Sequence, residues 1–182
     1  SNEKLAKKNI GSYSDFKTLS VSKDSFNETI QISKNYNFSI PKKVINKDWI
    51  DIFYNESNNP SNLSYSEKKN LIKKSKKISR YNINDFILFK NGNLITADVK
   101  GNIIVFSIEE NKIVTKFNFY KKRFKKINKK LNLIIDENII YISDNIGFIY
   151  AFDYEKNKIL WATNNKIPFR SNLKIKNNKL IT

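Results

Sequence analysis

Residues 139–161 read IIYISDNIGFIYAFDYEKNKILW, and residues 93–115 read NLITADVKGNIIVFSIEENKIVT. Laid over each other without a gap, Asp98 falls on Asp144, Gly101 on Gly147, Phe106 on Phe152, Asn111 on Asn157 and Lys112 on Lys158, each 46 residues on. A second register links INKKLNLIIDENIIYI, from Ile127, to IPFRSNLKIKNNKLIT, from Ile167. There Asn132, Leu133, Ile135 and Asn138 meet Asn172, Leu173, Ile175 and Asn178, 40 residues on. Self-similarity at this period marks a repeat architecture, and a unit of 40 to 46 residues suits a four-stranded propeller blade. The excess in the longer interval lies between Thr115 and Ile127, around YKKRFKK, and insertions between repeats map to loops on one face.

Within the better-preserved copy the apolar runs predict strands at about 131–135, 139–143, 148–153 and 159–163, each short and alternating or fully apolar as a buried sheet requires. The turns have mechanisms. In SDNIG and ADVKG an Asp can accept backbone N–H groups and a Gly can take positive φ, which predicts a tight hairpin with a glycine bulge. In EENK and EKNK, Asn111 and Asn157 are the residues that best tolerate the left-handed region. Phe148, Tyr150, Phe152 and Tyr154 are spaced by two and share one strand face, which predicts packing between sheets. One such sheet cannot bury both its faces alone, so copies must stack around an axis. The expectation is an all-β fold, a β-propeller of four-stranded blades, in a partial ring of about two to three blades. Further blades are expected downstream of Thr182.

Working outward, residues 1–40 are polar and predict a weakly ordered leader; 41–84 form a lead-in; 85–182 carry the blades, at 85–120, 131–163 and, beginning a third, 171–182. Residues 62–80 match helical spacing poorly and predict a basic loop. The chain begins without Met or a signal-peptide pattern and stops in mid-pattern at KLIT, so it reads as an internal fragment. No apolar run is long enough to span a membrane.

The formal charge is +17, yet among the cations only Arg80, Arg123 and Arg170 are arginine. Lysine, a point charge, lacks the planar fork that reads bases, so the excess argues codon drift and not nucleic-acid binding. The chain has no Cys, His or Met, which removes thiol nucleophiles, imidazole bases and nearly every transition-metal ligand set. Its acids Asp98, Asp136, Asp144 and Asp153 sit at turns that backbone capping explains. No catalytic, cofactor-binding or metal-binding residues are therefore expected.

AFDYEKNKILW, Ala151 to Trp161, resembles the Ala-x-Asp-x-x-x-Gly-Lys-x-x-Trp docking motif of PQQ-like propeller repeats, with Asn157 in place of the glycine. The resemblance implies that Trp161 lies between adjacent sheets and contacts the neighbouring blade, that Ala151 leaves room for a ring, and that Asp153 ties the turn. The first copy departs at Val105, Ser107 and Thr115, so its docking contact is expected to be weaker. SIPKKVINKDWIDIFYNESNNPSNLSYS is similar to the lead-in of BamB-like outer-membrane assembly lipoproteins of alphaproteobacterial type, matching at Pro41, Asn46, Trp49, Asn59 and Pro60. IPFRS, Ile167 to Ser171, looks like the Pro-Leu-Arg-Ser-type start of a next blade. The resemblance covers residues 39–182.

That family resemblance implies a non-catalytic scaffold in outer-membrane β-barrel assembly. The intact protein would be a periplasmic lipoprotein on the outer membrane, with rim loops against the periplasmic domains of the central assembly factor and unfolded barrel precursors. Membrane contact would come only through a lipid anchor outside this stretch. The competing classes are a PQQ-dependent dehydrogenase fragment and a generic interaction module. Candidate partner contacts are Phe169 and Arg170, together with Lys122 and Arg123 in the basic stretch FYKKRFKKINKK, which reads as a solvated inter-blade loop. Candidate docking residues are Ala151, Asp153, Trp161, Gly101 and Gly147.

Overall fold

The computed structural model describes residues 29, 31, 33–35, 37, 39–65, 71 and 74–182. Most of the expected 1–40 leader, and part of the 62–80 basic loop, lie outside the described residues. The chain divides into two units, Ser1–Ile40 and Pro41–Thr182, and every strand among the described residues belongs to the second.

The described residues are all-β, with no α-helix among them. Four strands, β1 (Leu88–Lys90), β2 (Asn93–Ala97), β3 (Asn102–Ser107) and β4 (Lys112–Asn118), form one antiparallel sheet in chain order. A second sheet repeats the pattern with β5 (Leu131–Asp136), β6 (Ile139–Asp144), β7 (Phe148–Asp153) and β8 (Lys158–Asn164). A hairpin of β9 (Lys174–Lys176) and β10 (Lys179–Ile181) follows. The repeat extends to fine detail, because the pairing register slips at Val105/Phe106 in the first sheet and at the equivalent Ala151/Phe152 in the second.

Turn chemistry sets this register. Asn111 and Asn157 take φ of 53° and 51°, the left-handed conformation an Asn tolerates best. Asn91-Gly92 and Asn177-Asn178 have positive φ at both residues, which matches the right-handed twist of the strands they join.

The two sheets share one core. Ile95, Ile103 and Val105 of the first lie with Leu133, Ile140, Ile142, Tyr150 and Phe152 of the second, all buried. Aromatic rings key the faces together: Phe117 stacks on Phe152 at 4.3 Å between centroids and Phe119 on Tyr150 at 4.4 Å. Such pairs each contribute about 0.5–1.5 kcal/mol beyond area burial. The spacing-by-two pattern of Phe148, Tyr150 and Phe152 thus serves packing between sheets, as the sequence predicts.

The first strands of the successive repeats, β1, β5 and β9, lie side by side. A strap from Asp48 to Asn55 is hydrogen-bonded to each of them. Trp49 exchanges backbone hydrogen bonds with Phe89 of β1 at 2.7 and 2.8 Å, and the Ile50 carbonyl accepts Ile135 N–H of β5 at 3.0 Å. Lys174 Nζ of β9 donates to Asp51 Oδ2 at 2.6 Å and to the Asn55 carbonyl at 2.9 Å. Asp48 binds Lys90 Nζ at 2.9 Å and Asn91 N–H at 3.0 Å. Burial pushes the Asp48 carboxyl up, but the Asn91 N–H and the Lys90 ammonium outweigh it and hold the group below the usual carboxylate range. The free edge of β1 is therefore covered by the chain's own lead-in.

Candidate functional site

At one end of both sheets the β2–β3 and β6–β7 turns meet the linkers that follow β4 and β8. Asp144 organises the second turn: its Oδ1 accepts N–H groups of Ile146, Gly147 and Phe148, each at 2.8 Å. Asp98 does the same in the first, taking N–H groups of Lys100 and Asn102 at 2.9 and 3.1 Å, while its Oδ2 accepts Ser79 Oγ–H at 2.7 Å. A buried carboxylate satisfied in this way is a turn brace, which is the role the sequence assigns to both.

Tyr120 joins the two turns. Its hydroxyl donates to Asp144 Oδ2, and its ring lies over Gly101 of the first turn. Burial, then the neighbouring Tyr150 and Asp144, pushes the Tyr120 phenol far above its ordinary range, so it stays protonated and remains the donor. The Tyr150 hydroxyl is buried in the same aromatic cluster. Gly101 has φ +84° and Gly147 φ +104°; at the second turn the place of the ring is taken by the backbone of Lys166 and Ile167.

The linker after β4, FYKKRFKKINKK, is exposed over most of its length, as a solvated loop would be, but not throughout. Phe119 and Tyr120 pack against the core, a 3-10 turn occupies Lys122–Phe124, and Lys129 is only 3% exposed. Lys129 Nζ donates to the Phe124 carbonyl and sits 4.9 Å from the centre of the Tyr120 ring. Burial foremost, then Lys100, lowers the Lys129 ammonium from its ordinary range, against a smaller upward pull from Asp144 and Asp98. Between this lysine and the first turn lies a cleft of about 420 Å3, lined by Tyr81, Lys100, Asn102, Asn118, Tyr120, Lys125 and Lys129.

The expected partner-contact residues lie outside this cleft, Arg123 and Arg170 each lining another. Lys122 and Arg123 are exposed, and Arg123 lies over the Phe124 ring at 4.7 Å, lining a cleft of about 320 Å3 with Phe119, Phe148 and Asn164. Arg170 is exposed beside Asn82, Asn84, Lys130 and Asn172 in another cleft of about 660 Å3. Phe169 is half-buried and its N–H is tied to the Asp144 carbonyl at 3.0 Å.

Of the expected docking residues, Ala151 is fully buried, and Asp153 Oδ1 accepts N–H groups of Glu155 and Lys156 at 3.1 and 2.9 Å, so it ties its turn. Trp161 remains 42% exposed on β8, its ring 6.2 Å from Tyr141 of its own sheet. Thr115, the counterpart of Trp161 in the first repeat, instead bridges the sheets through Oγ1, which donates to the Tyr154 carbonyl at 3.3 Å. Tyr120 and Lys129 were not singled out by sequence reasoning. The alternation Phe117, Phe119 carries a packing signal past the end of β4, whereas nothing local separates Lys129 from the lysines around it.

Among the described residues no group of acids could hold a metal ion. No protein-family model matches the chain. A search of curated proteins likewise finds no match.

Proposed function

We propose that this chain is a stack of PQQ-like propeller blades that acts as a non-catalytic scaffold in outer-membrane β-barrel assembly, on the periplasmic face of that membrane. One observation carries the reading. The four-stranded meander recurs with matching Asp–Gly turns and matching register slips, and the first strands of three successive repeats gather on one strap. Blades stacked around an axis would bring their first strands together in this way. A quinone enzyme built on such blades would seat its cofactor near their axis; in this reading residues Asp48 to Asn55 run along the strands that would face it.

The scaffold works by positioning. A rigid stack holds one rim, rich in Lys121, Lys122, Arg123, Lys125, Lys126 and Arg170, towards an acidic partner surface, which long-range attraction helps to find. In this reading the partners are the periplasmic domains of the central assembly factor and unfolded barrel precursors. Cross-linked co-purification with the barrel-assembly complex tests it: recovery that is lost on Arg123→Glu and Arg170→Glu supports the proposal. Recovery of bound PQQ together with alcohol or sugar oxidation would replace it with the dehydrogenase reading. Cross-links to unrelated proteins alone would leave only a generic interaction module.

A further inference from the structure

We propose that the cleft between Tyr81, Lys100, Lys125 and Lys129 is a binding site for a phosphomonoester group. The lining brings together three ammonium groups and no carboxylate. Lys129 is the informative one, being 3% exposed and, among the described residues, in no ion pair. Of its donors one is taken by the Phe124 carbonyl, and one side rests against the Tyr120 ring. Burial costs the ammonium part of its hydration, and the cleft is the side from which a ligand can reach it.

The nearest acids, Asp98 and Asp144, pull on this ammonium from a distance and form no ion pair with it. Asp98 is held by Lys100 N–H, Asn102 and Ser79, and Asp144 by three turn N–H groups and the Tyr120 hydroxyl. The amide donors of the lining are committed as well: Asn102 Nδ2 to Asp98, and Asn118 Nδ2 to the Lys100 carbonyl and Asn102 Oδ1. What the cleft offers a ligand is positive charge from lysines. Lys100 Nζ already donates to Asn128 Oδ1 at 3.1 Å, leaving it further donors.

A phosphomonoester carries about −1.5 to −2 charges at neutral pH and three acceptor oxygens, which complements three ammonium groups better than a single carboxylate does. The cleft, at about 420 Å3, is roomier than a bare phosphate needs, and the Tyr81 and Tyr120 rings flank it. The organic part of the ligand lies against those rings.

The test is calorimetric titration of the full 182-residue chain with inorganic phosphate and with phenyl phosphate. Expected is saturable binding at one site, tighter for phenyl phosphate, and about tenfold weaker in Lys125→Gln and in Lys129→Met. Lys112→Gln, whose Nζ pairs with Glu110 at the opposite end of the sheet, serves as the equal-charge control and keeps its affinity. Should Lys129→Met fail to fold, Lys125→Gln decides, since Lys125 is exposed on the linker. Vesicles containing phosphatidic acid distinguish the source. Binding that weakens with the same variants assigns a lipid headgroup, and phosphate binding without vesicle binding assigns a soluble ligand. No binding, non-saturable binding, or an equal loss in Lys112→Gln overturns the proposal.

Discussion

Replacing Gly101 by alanine adds one carbon atom at a place where two constraints meet. The backbone there has φ +84°, and the new Cβ would collide with the Tyr120 ring. The left-handed conformation costs an L-residue about 1–2 kcal/mol. Overpacking a filled site costs about 1–3 kcal/mol more. Tyr120 cannot step aside cheaply, because its hydroxyl is bonded to Asp144 and its ring sits edge-on to Phe119, Phe148 and Tyr150. Gly101→Ala should therefore lose about 2–5 kcal/mol in urea unfolding. Gly92 is the internal reference, with φ +75° and nothing within 4 Å of an added Cβ, so Gly92→Ala should lose only the conformational part, about 1–2 kcal/mol. In a double-mutant cycle, Gly101→Ala and Tyr120→Ala should cost clearly less together than the sum of the two alone. If Gly101→Ala were no worse than Gly92→Ala, or the cycle were additive, the keying of the first turn by Tyr120 would be wrong.

Raising the pH should expose the two buried phenols. Burial raises Tyr120 and Tyr150 above the ordinary value of 10.0, so their contribution to stability is complete below that pH and is lost as pH climbs towards their folded values. Their tyrosinate absorbance should emerge together with loss of near-ultraviolet circular dichroism; reversible ionisation in the folded chain would contradict the burial. Lys174→Met leaves Asp51, itself 3% exposed, without its ion-pair partner. With Lys174 still partly exposed, the expected loss in urea unfolding is about 1–3 kcal/mol, against less than about 0.5 kcal/mol for Lys112→Met. Phe152→Ala, at a fully buried ring, should cost about 3–5 kcal/mol, whereas Trp161→Ala should cost about 1 kcal/mol, and comparable losses would mean that Trp161 is packed.

The repeat made the second sheet legible to within a residue or so at each strand end, because each boundary carries its own chemistry: Asp144 and Gly147 at one turn, Asn157 at the next. The alternation of Phe148, Tyr150 and Phe152 likewise declared a packed face. What stayed hidden depends on partners far along the chain. Lys174 and Asp51 are 123 positions apart, and no local pattern marks either as half of an ion pair. Lys129 looks like its neighbours in sequence and differs only because Tyr120 and the Phe124 carbonyl close over it. The strap was legible only as a lead-in, since Trp49 and Ile50 are placed by hydrogen bonds to Phe89 and Ile135 and by nothing in their own spacing.

That strap changes how the chain should come apart. Stacked repeats that touch only their neighbours behave as a one-dimensional series, in which a terminal unit can melt while the rest survives. Here a segment preceding the first sheet is hydrogen-bonded to β1, β5 and β9, so releasing β9 also strips the Asp51 carboxylate of its counter-ion. Neighbour-by-neighbour fraying is then replaced by a single cooperative transition. The same long-range closure raises the contact order, and folding becomes slower than the short hairpins alone would suggest.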